Sequence, residues 1–194
     1  MPVKTAMIEI VKHVNDVINE LSEEQIQIMM DQIQKANRIF LIGAGRSGMA
    51  ARAFAMRLVQ LGLTAYVIGE SVTPGMKKDD LLVAVSGSGQ TDSVVLAAEV
   101  AKSIGSPILA ITSYPDSPLG EIADYTVVIK GRTKIDIEKE HLKHQIEGKH
   151  STLTPLGTLF EDSVMIFFDG IIAGLMKSMK AGEREMKDRH ATIE

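Results

Sequence analysis

Residues 81–91 read Leu-Leu-Val-Ala-Val-Ser-Gly-Ser-Gly-Gln-Thr. The first five are apolar without polar alternation, the pattern of a strand buried on both faces in the middle of a parallel sheet. Polarity begins where that strand ends. Gly87 and Gly89 let the backbone turn tightly and expose its N–H groups up to Gln90, and the hydroxyls of Ser86, Ser88 and Thr91 converge from one short loop. Asp92–Ile104 then reads as a helix whose N-terminus faces the same point. Hydroxyls, bare amides and a helix dipole make an anion site, and phosphate is the ligand that suits it; an ordinary Ser/Gly-rich βα turn is the plainer reading of the same residues.

A second turn of this kind lies upstream. Arg38–Ile42 reads as a strand, Gly43-Ala44-Gly45-Arg46-Ser47-Gly48 follows it, and Ala50, Phe54, Leu58 and Leu61 then mark an amphipathic helix closed by Gly62. Gly43-x-Gly45-x-x-Gly48 between a strand and a helix is also the dinucleotide fingerprint, and Glu70 lies close to where that fold places an acid for a ribose hydroxyl. A dinucleotide-binding regulatory or redox domain is therefore one reading. Such a fold has no need of the loop at Ser86–Thr91, however, while Arg46 and Ser47 add a cation and a hydroxyl to the first turn. Two such loops at the C-terminal ends of adjacent strands favour a compact phosphorylated ligand between them.

The rest of the chain supplies the frame. Val11, Val14, Ile18 and Leu21 recur at helical spacing, and a second helix follows with Ser22 as N-cap, Gln25 completing a capping box, and Ile26, Met29 and Ile33 on one face. Ala65–Ile68 is a strand, Gly69–Asp80 a loop, and Pro107–Thr112 and Tyr125–Ile129 are further strands separated by a turn region and a brief Leu119–Ala123 helix. Leu156–Met179 reads as a long helix apolar nearly all round, whose surplus apolar surface predicts an oligomer interface together with the two N-terminal helices. Gly182 ends it, and Glu183–Glu194 is a polar tail with room for a short helix. Strands alternating with helices specify a three-layer αβα sandwich on a five-stranded parallel sheet, as one domain over residues 1–194, with helices over 5–36 and 156–190 packed around it.

Composition narrows the partners. The 194 residues are 45% hydrophobic, enough for one sizeable core. A formal net charge of −4 offers no field for nucleic acid or an anionic membrane, so any bound anion must be held locally. The absence of Cys excludes disulfide and thiolate chemistry and fits a cytoplasmic location. The run Val164–Met176 is broken by Asp169 and too short to span a bilayer comfortably, which predicts a buried helix. Aromatic residues make up only 4% and Trp is absent, which argues against base-stacking platforms. In Lys130–His150 ten of 21 positions are charged and three of the five histidines occur, the composition of a solvated loop. His141, His144 and His150 lack the Cys or fixed-offset carboxylate that would complete a metal site, so no metal is expected.

Gly-Ala-Gly-Arg-Ser-Gly and Ser-Gly-Ser-Gly-Gln-Thr, spaced as here, resemble the sugar isomerase (SIS) domain. Together with Phe54-Ala55-Met56-Arg57-Leu58, Val67-Ile68-Gly69-Glu70, Pro155-Leu156-Gly157-Thr158-Leu159-Phe160-Glu161 and Arg189-His190-Ala191, the pattern is similar to the 6-phospho-3-hexuloisomerase family within it. The likeness runs almost end to end. It implies a five-stranded parallel sheet flanked by helices and a homotetramer with sites near subunit contacts. The implied reaction interconverts 3-hexulose 6-phosphate and fructose 6-phosphate in the ribulose monophosphate pathway without a cofactor. The charged Lys130–His150 stretch is the main departure from the family.

That reaction moves a ketone from C3 to C2 through a cis-enediolate: a base takes the C2 proton, and a proton is delivered to C3. One carboxylate can do both. Glu161, near the start of the long helix, is either that group, as the resemblance implies, or a first-turn acid favoured by the helix dipole. His190 either reaches a neighbouring subunit's site to assist ring opening or proton transfer, or is a surface histidine on a polar tail. Ser47, Ser86, Ser88 and Thr91 with the amides of Gly87 to Gln90 are the expected phosphate ligands. Arg46 is a possible pocket residue, and Glu70 either contacts substrate hydroxyls or anchors its loop. A non-catalytic sugar-phosphate sensor uses the same phosphate loops and differs only in having no need of Glu161.

Overall fold

The computed structural model describes residues 1–131, 154–155 and 157–190. From residue 132 onward the charged stretch lies outside the described residues, as do His141, His144, His150, Leu156 and Ala191.

Five strands form one all-parallel sheet: β1 (Ile39–Gly43), β2 (Ala65–Val67), β3 (Leu81–Val85), β4 (Ile108–Thr112) and β5 (Tyr125–Val128), in the order β2-β1-β3-β4-β5. β3 is central and buried throughout, as its uninterrupted apolar run requires. Alternate side chains feed two cores. Leu41, Val83, Leu109 and Val127 face one layer; Phe40, Leu82, Ala84 and Ala110 face the other.

The first layer holds α2 (Glu23–Lys35), α3 (Gly45–Gln60) and α6 (Thr158–Met179), with α1 (Pro2–Glu20) packed on α6 and the short α7 (Glu183–Asp188) beside α3. The second holds α4 (Asp92–Ile104) and α5 (Pro118–Ile122). Because β1 leads to β2 on one side and pairs with β3 on the other, the order reverses between β1 and β3. That is the point at which open α/β sheets leave a crevice beyond their strand ends. Both glycine-containing turns lie there.

Two expectations are corrected. Strand β1 begins and ends one residue later than predicted, at Ile39 and Gly43; the Arg38 side chain before it forks Asp80, with Nε donating to Oδ1 at 2.9 Å and Nη2 to Oδ2 at 2.6 Å. The capping box of α2 forms by half. Ser22 Oγ accepts from the Gln25 N–H at 3.3 Å, but the Gln25 carboxamide accepts from the Val128 N–H of β5 at 3.0 Å and so caps a strand instead. Much of the apolar surface of the long helix packs within the chain, and Ile166, Phe167 and Ile171 line a groove of about 320 Å³ against α1 and α2. Phe168 stacks on Phe54 of α3 with ring centroids 4.1 Å apart, Gly174 meets Met30 of α2, and of its large apolar side chains Ile166 stays exposed. Exposed apolar residues also run along α1 (Val3, Met7, Ile8, Val11, Ile18) and α3 (Met49, Met56, Val59).

Candidate active site

Gly43 and Val85 are register partners, so the turns that follow β1 and β3 start side by side, about 4.8 Å apart across the sheet. The first turn owes its glycines to packing. A Cβ on Gly43 would lie 2.8 Å from the Ser47 backbone, and one on Gly48 2.6 Å from the Gly43 carbonyl, so strand and helix approach more closely than any side chain allows. Arg46 and Ser47 occupy the first turn of α3. Ser47 is buried, and its hydroxyl has no hydrogen-bond partner among the described residues.

The second turn is braced from behind. The Gly87 carbonyl accepts from the Ser113 N–H and the Gly89 carbonyl from the Leu119 N–H, both at 3.0 Å. Turning these carbonyls inward leaves the N–H groups of Gly87, Ser88 and Thr91 without an acceptor among the described residues, at the N-terminus of α4. This is the electropositive nest expected of an anion site. Two expected donors are corrected. The Gly89 N–H donates to the Ser86 carbonyl at 3.0 Å and the Gln90 N–H to Ser88 Oγ at 3.3 Å. Gly89 is needed for its φ of +63° and because a Cβ there would collide with Ser117. Ser86 is buried and shares a hydroxyl–hydroxyl bond of 3.0 Å with Thr91, so it sets the loop's shape.

The first turn of α6 closes the site. Phe160 lies against Gly87, and the next residue, Glu161, accepts from Arg46 Nε at 2.5 Å; Arg46 Nη2 donates to Asp162 Oδ1 at 2.8 Å. Three segments distant in sequence thus place a carboxylate, a guanidinium, a free hydroxyl and unpaired amides at one end of the sheet. A carboxylate there is able to move a proton beside an anion held by the loops. Asp162 and Phe160 were missed in the sequence; the only signal was two adjacent acids at a helix start, which the helix dipole explains equally well.

Two expected residues lie elsewhere. Glu70 Oε1 accepts from Arg52 Nε of α3 at 2.9 Å, with both side chains about half exposed, and makes no hydrogen bond to Arg46 or the second turn. His190 lines a cavity of about 420 Å³ with Arg57, Gln60, Asp169, Met176 and Lys187. Gln60 is at the far end of α3 from Arg46, fourteen residues away, or about 21 Å along the helix axis. Within one chain His190 is therefore remote from Glu161. Among the described residues no group of three or more His, Asp or Glu is arranged to hold a metal, and no helix is long and apolar enough to cross a membrane.

The sequence model of the SIS domain matches residues 32–142. Over 90% of its length the chain is 38% identical to the 3-hexulose-6-phosphate isomerase of Methanocaldococcus jannaschii, covering 87% of that protein. It is 35% identical over 94% of its length to the protein of that name from Bacillus subtilis, covering 98% of it. Among solved structures it superposes with a TM-score of 0.79 on a hypothetical protein from Methanococcus jannaschii for which a 3-hexulose-6-phosphate isomerase function was inferred, at 32% identity and with all of both chains covered.

Proposed function

The chain belongs to the SIS domain family and is a sugar-phosphate isomerase, and from that premise we propose that it interconverts D-arabino-hex-3-ulose 6-phosphate and fructose 6-phosphate through a cis-enediolate, with Glu161 as the proton carrier. The observation that carries this reading is the seating of Glu161 beside Gly87 through Phe160, which puts a carboxylate next to the anion-binding turn. The phosphate is held by the Ser47 and Ser88 hydroxyls and the Gly87, Ser88 and Thr91 amides. Glu161 takes the C2 proton, the C–H electron pair becomes the C2=C3 bond, and charge passes to O3. O3 takes up a proton as the O2 hydroxyl gives one up, and Glu161 returns its proton to C3 as the C2 carbonyl forms. The Arg46 guanidinium, at the edge of this space, offsets the negative charge that develops on oxygen. Such a step belongs to the ribulose monophosphate pathway.

The experiment is isotopic. Fructose 6-phosphate incubated with the protein in deuterated water should acquire deuterium at C3 and yield the 3-hexulose phosphate, followed by NMR. Binding without exchange would make the protein a sugar-phosphate sensor, and tight binding of a nicotinamide dinucleotide in place of the sugar phosphate would restore the dinucleotide reading.

The active unit we propose is a homo-oligomer, a tetramer by resemblance, in which His190 serves a neighbour's site. Its distance from Glu161 within one chain and the exposed apolar stripe of α1 support this. Mixing Glu161→Gln and His190→Asn proteins under exchange conditions should restore activity in hybrid oligomers. Mixtures no more active than their components would place His190 outside the reaction.

A further inference from the structure

Arg46 faces two carboxylates, and its division of donors between them decides which oxygen of Glu161 is open. A guanidinium presents Nε–H and one Nη–H as a parallel pair that a single carboxylate matches with both oxygens. Here that edge is split: Nε serves Oε2 of Glu161 at 2.5 Å, and Nη2 serves Oδ1 of Asp162 at 2.8 Å. Oε1 of Glu161 accepts no hydrogen bond among the described residues. The carboxylate lies against Gly157, where a Cβ would stand 3.0 Å from Oε1 and 3.2 Å from Oε2, so with φ +84° and no side chain this residue leaves both oxygens uncovered and only Arg46 distinguishes them. The Glu161 side chain is 16% exposed, whereas that of Arg46 is 52% exposed, so the guanidinium is held by its two acids more than by packing.

Resting on the reading of Glu161 as the proton carrier, we propose that Asp162 is a positioning residue. By taking one N–H of Arg46 it keeps the guanidinium from closing on both oxygens of Glu161, and so leaves Oε1 as the oxygen that receives the C2 proton. Protonating an oxygen that already accepts from a guanidinium weakens that charge-assisted hydrogen bond, whereas an oxygen that accepts none takes the proton without that cost. When the C2–H bond breaks, the proton goes to Oε1, the electron pair forms C2=C3, and the charge arises on O3, while Oε2 stays on Arg46.

The test is a double-mutant cycle on the full chain in its native oligomer, with kcat and KM for fructose 6-phosphate isomerisation and a crystal structure of each variant. Asp162→Ala should lower kcat about tenfold or more with KM within about threefold, and Asp162→Glu should recover most of the loss. In an Arg46→Gln background, where no fork is left to close, Asp162→Ala should have no further effect. The Asp162→Ala crystal should show Arg46 bonded to both oxygens of Glu161. Wild-type kcat in Asp162→Ala, additive losses in the double variant, or a guanidinium that stays on one oxygen would each overturn the proposal. If Asp162→Ala fails to fold, Asp162→Leu, close to Asp in size and unable to accept a hydrogen bond, carries the same comparison, and wild-type kcat there overturns the proposal. A wild-type protein that binds the sugar phosphate without turnover would defeat the isomerase reading instead, and the crystal of the variant would still decide whether Asp162 restrains Arg46.

Discussion

The ring of Phe160 fills the space that a Cβ on Gly87 would need: Cδ1 lies 2.9 Å and Cγ 3.0 Å from that position. Through this contact the turn after β3 and the helix start that bears Glu161 have one common spacing. Gly87→Ala should push Phe160 back and carry Glu161 with it. Overpacking of this kind costs about 1–3 kcal/mol in stability, and kcat should fall by more than the affinity for fructose 6-phosphate. Relief of both losses by Phe160→Leu in the same chain would confirm the spacing; an Ala variant with wild-type melting temperature and kcat would refute it.

Glu161→Gln is nearly isosteric, can still accept from Arg46 Nε, and removes the basic oxygen. A positioned general base contributes about 10²–10⁴ in rate, so kcat should fall on that scale while sugar-phosphate binding persists in calorimetry. Near-wild-type turnover would move the base elsewhere.

Ser47 is a buried residue whose hydroxyl makes no hydrogen bond among the described residues, whereas Ser86 already bonds Thr91. Ser47→Ala and Ser88→Ala should each weaken fructose 6-phosphate binding by roughly ten- to a hundredfold, since hydrogen bonds to charged groups are worth about 1.5–3 kcal/mol. Ser86→Ala should lower the melting temperature before it lowers affinity. Isothermal titration and thermal unfolding of the three variants would separate the roles, and unchanged affinity in Ser47→Ala and Ser88→Ala would remove the phosphate from this turn.

Asp80 is buried, forked by Arg38, and accepts from the Lys77 N–H at 2.6 Å. Burial by itself opposes its charge, but the hydrogen bonds from Arg38 and the Lys77 amide outweigh it and hold the carboxyl below its ordinary value. With the folded value below the unfolded one of about 3.9, the unfolded chain binds more protons. The stabilisation is complete above the unfolded value and is lost as pH falls through it towards the folded value. Asp80→Asn should destabilise the fold near neutral pH, by less than the loss of one partner from a fully buried pair because Arg38 remains open to solvent. It should also flatten the acid limb of stability against pH in urea melts between about pH 5 and 2. A variant with the wild-type slope would exclude Asp80 as its source.

The layers were legible from the chain alone because their signals are local. Leu81–Val85 cannot be exposed on either face, so it is central wherever it is placed; Ser22 caps a helix through a neighbour three residues on; Gly43–Gly48 and Ser86–Thr91 turn at the ends of their strands by glycine conformation. That the second turn carries hydroxyls beside a helix start could also be read there, since these lie within a few residues of one another. What belongs to the site as a unit was decided by tertiary structure. Arg46 and Glu161 are separated by 115 positions and Gln25 and Val128 by 103, and nothing in the spacing of either residue shows which helix crosses which turn. The packing of α6 on α3 brings Glu161 and Asp162 under one guanidinium, selects Gly87 for contact with Phe160, and carries His190 to the opposite end of the same helices. Periodicity and turn chemistry depend on neighbours along the chain, whereas hydrogen-bond geometry between distant side chains depends on helix crossings that only the closed core determines.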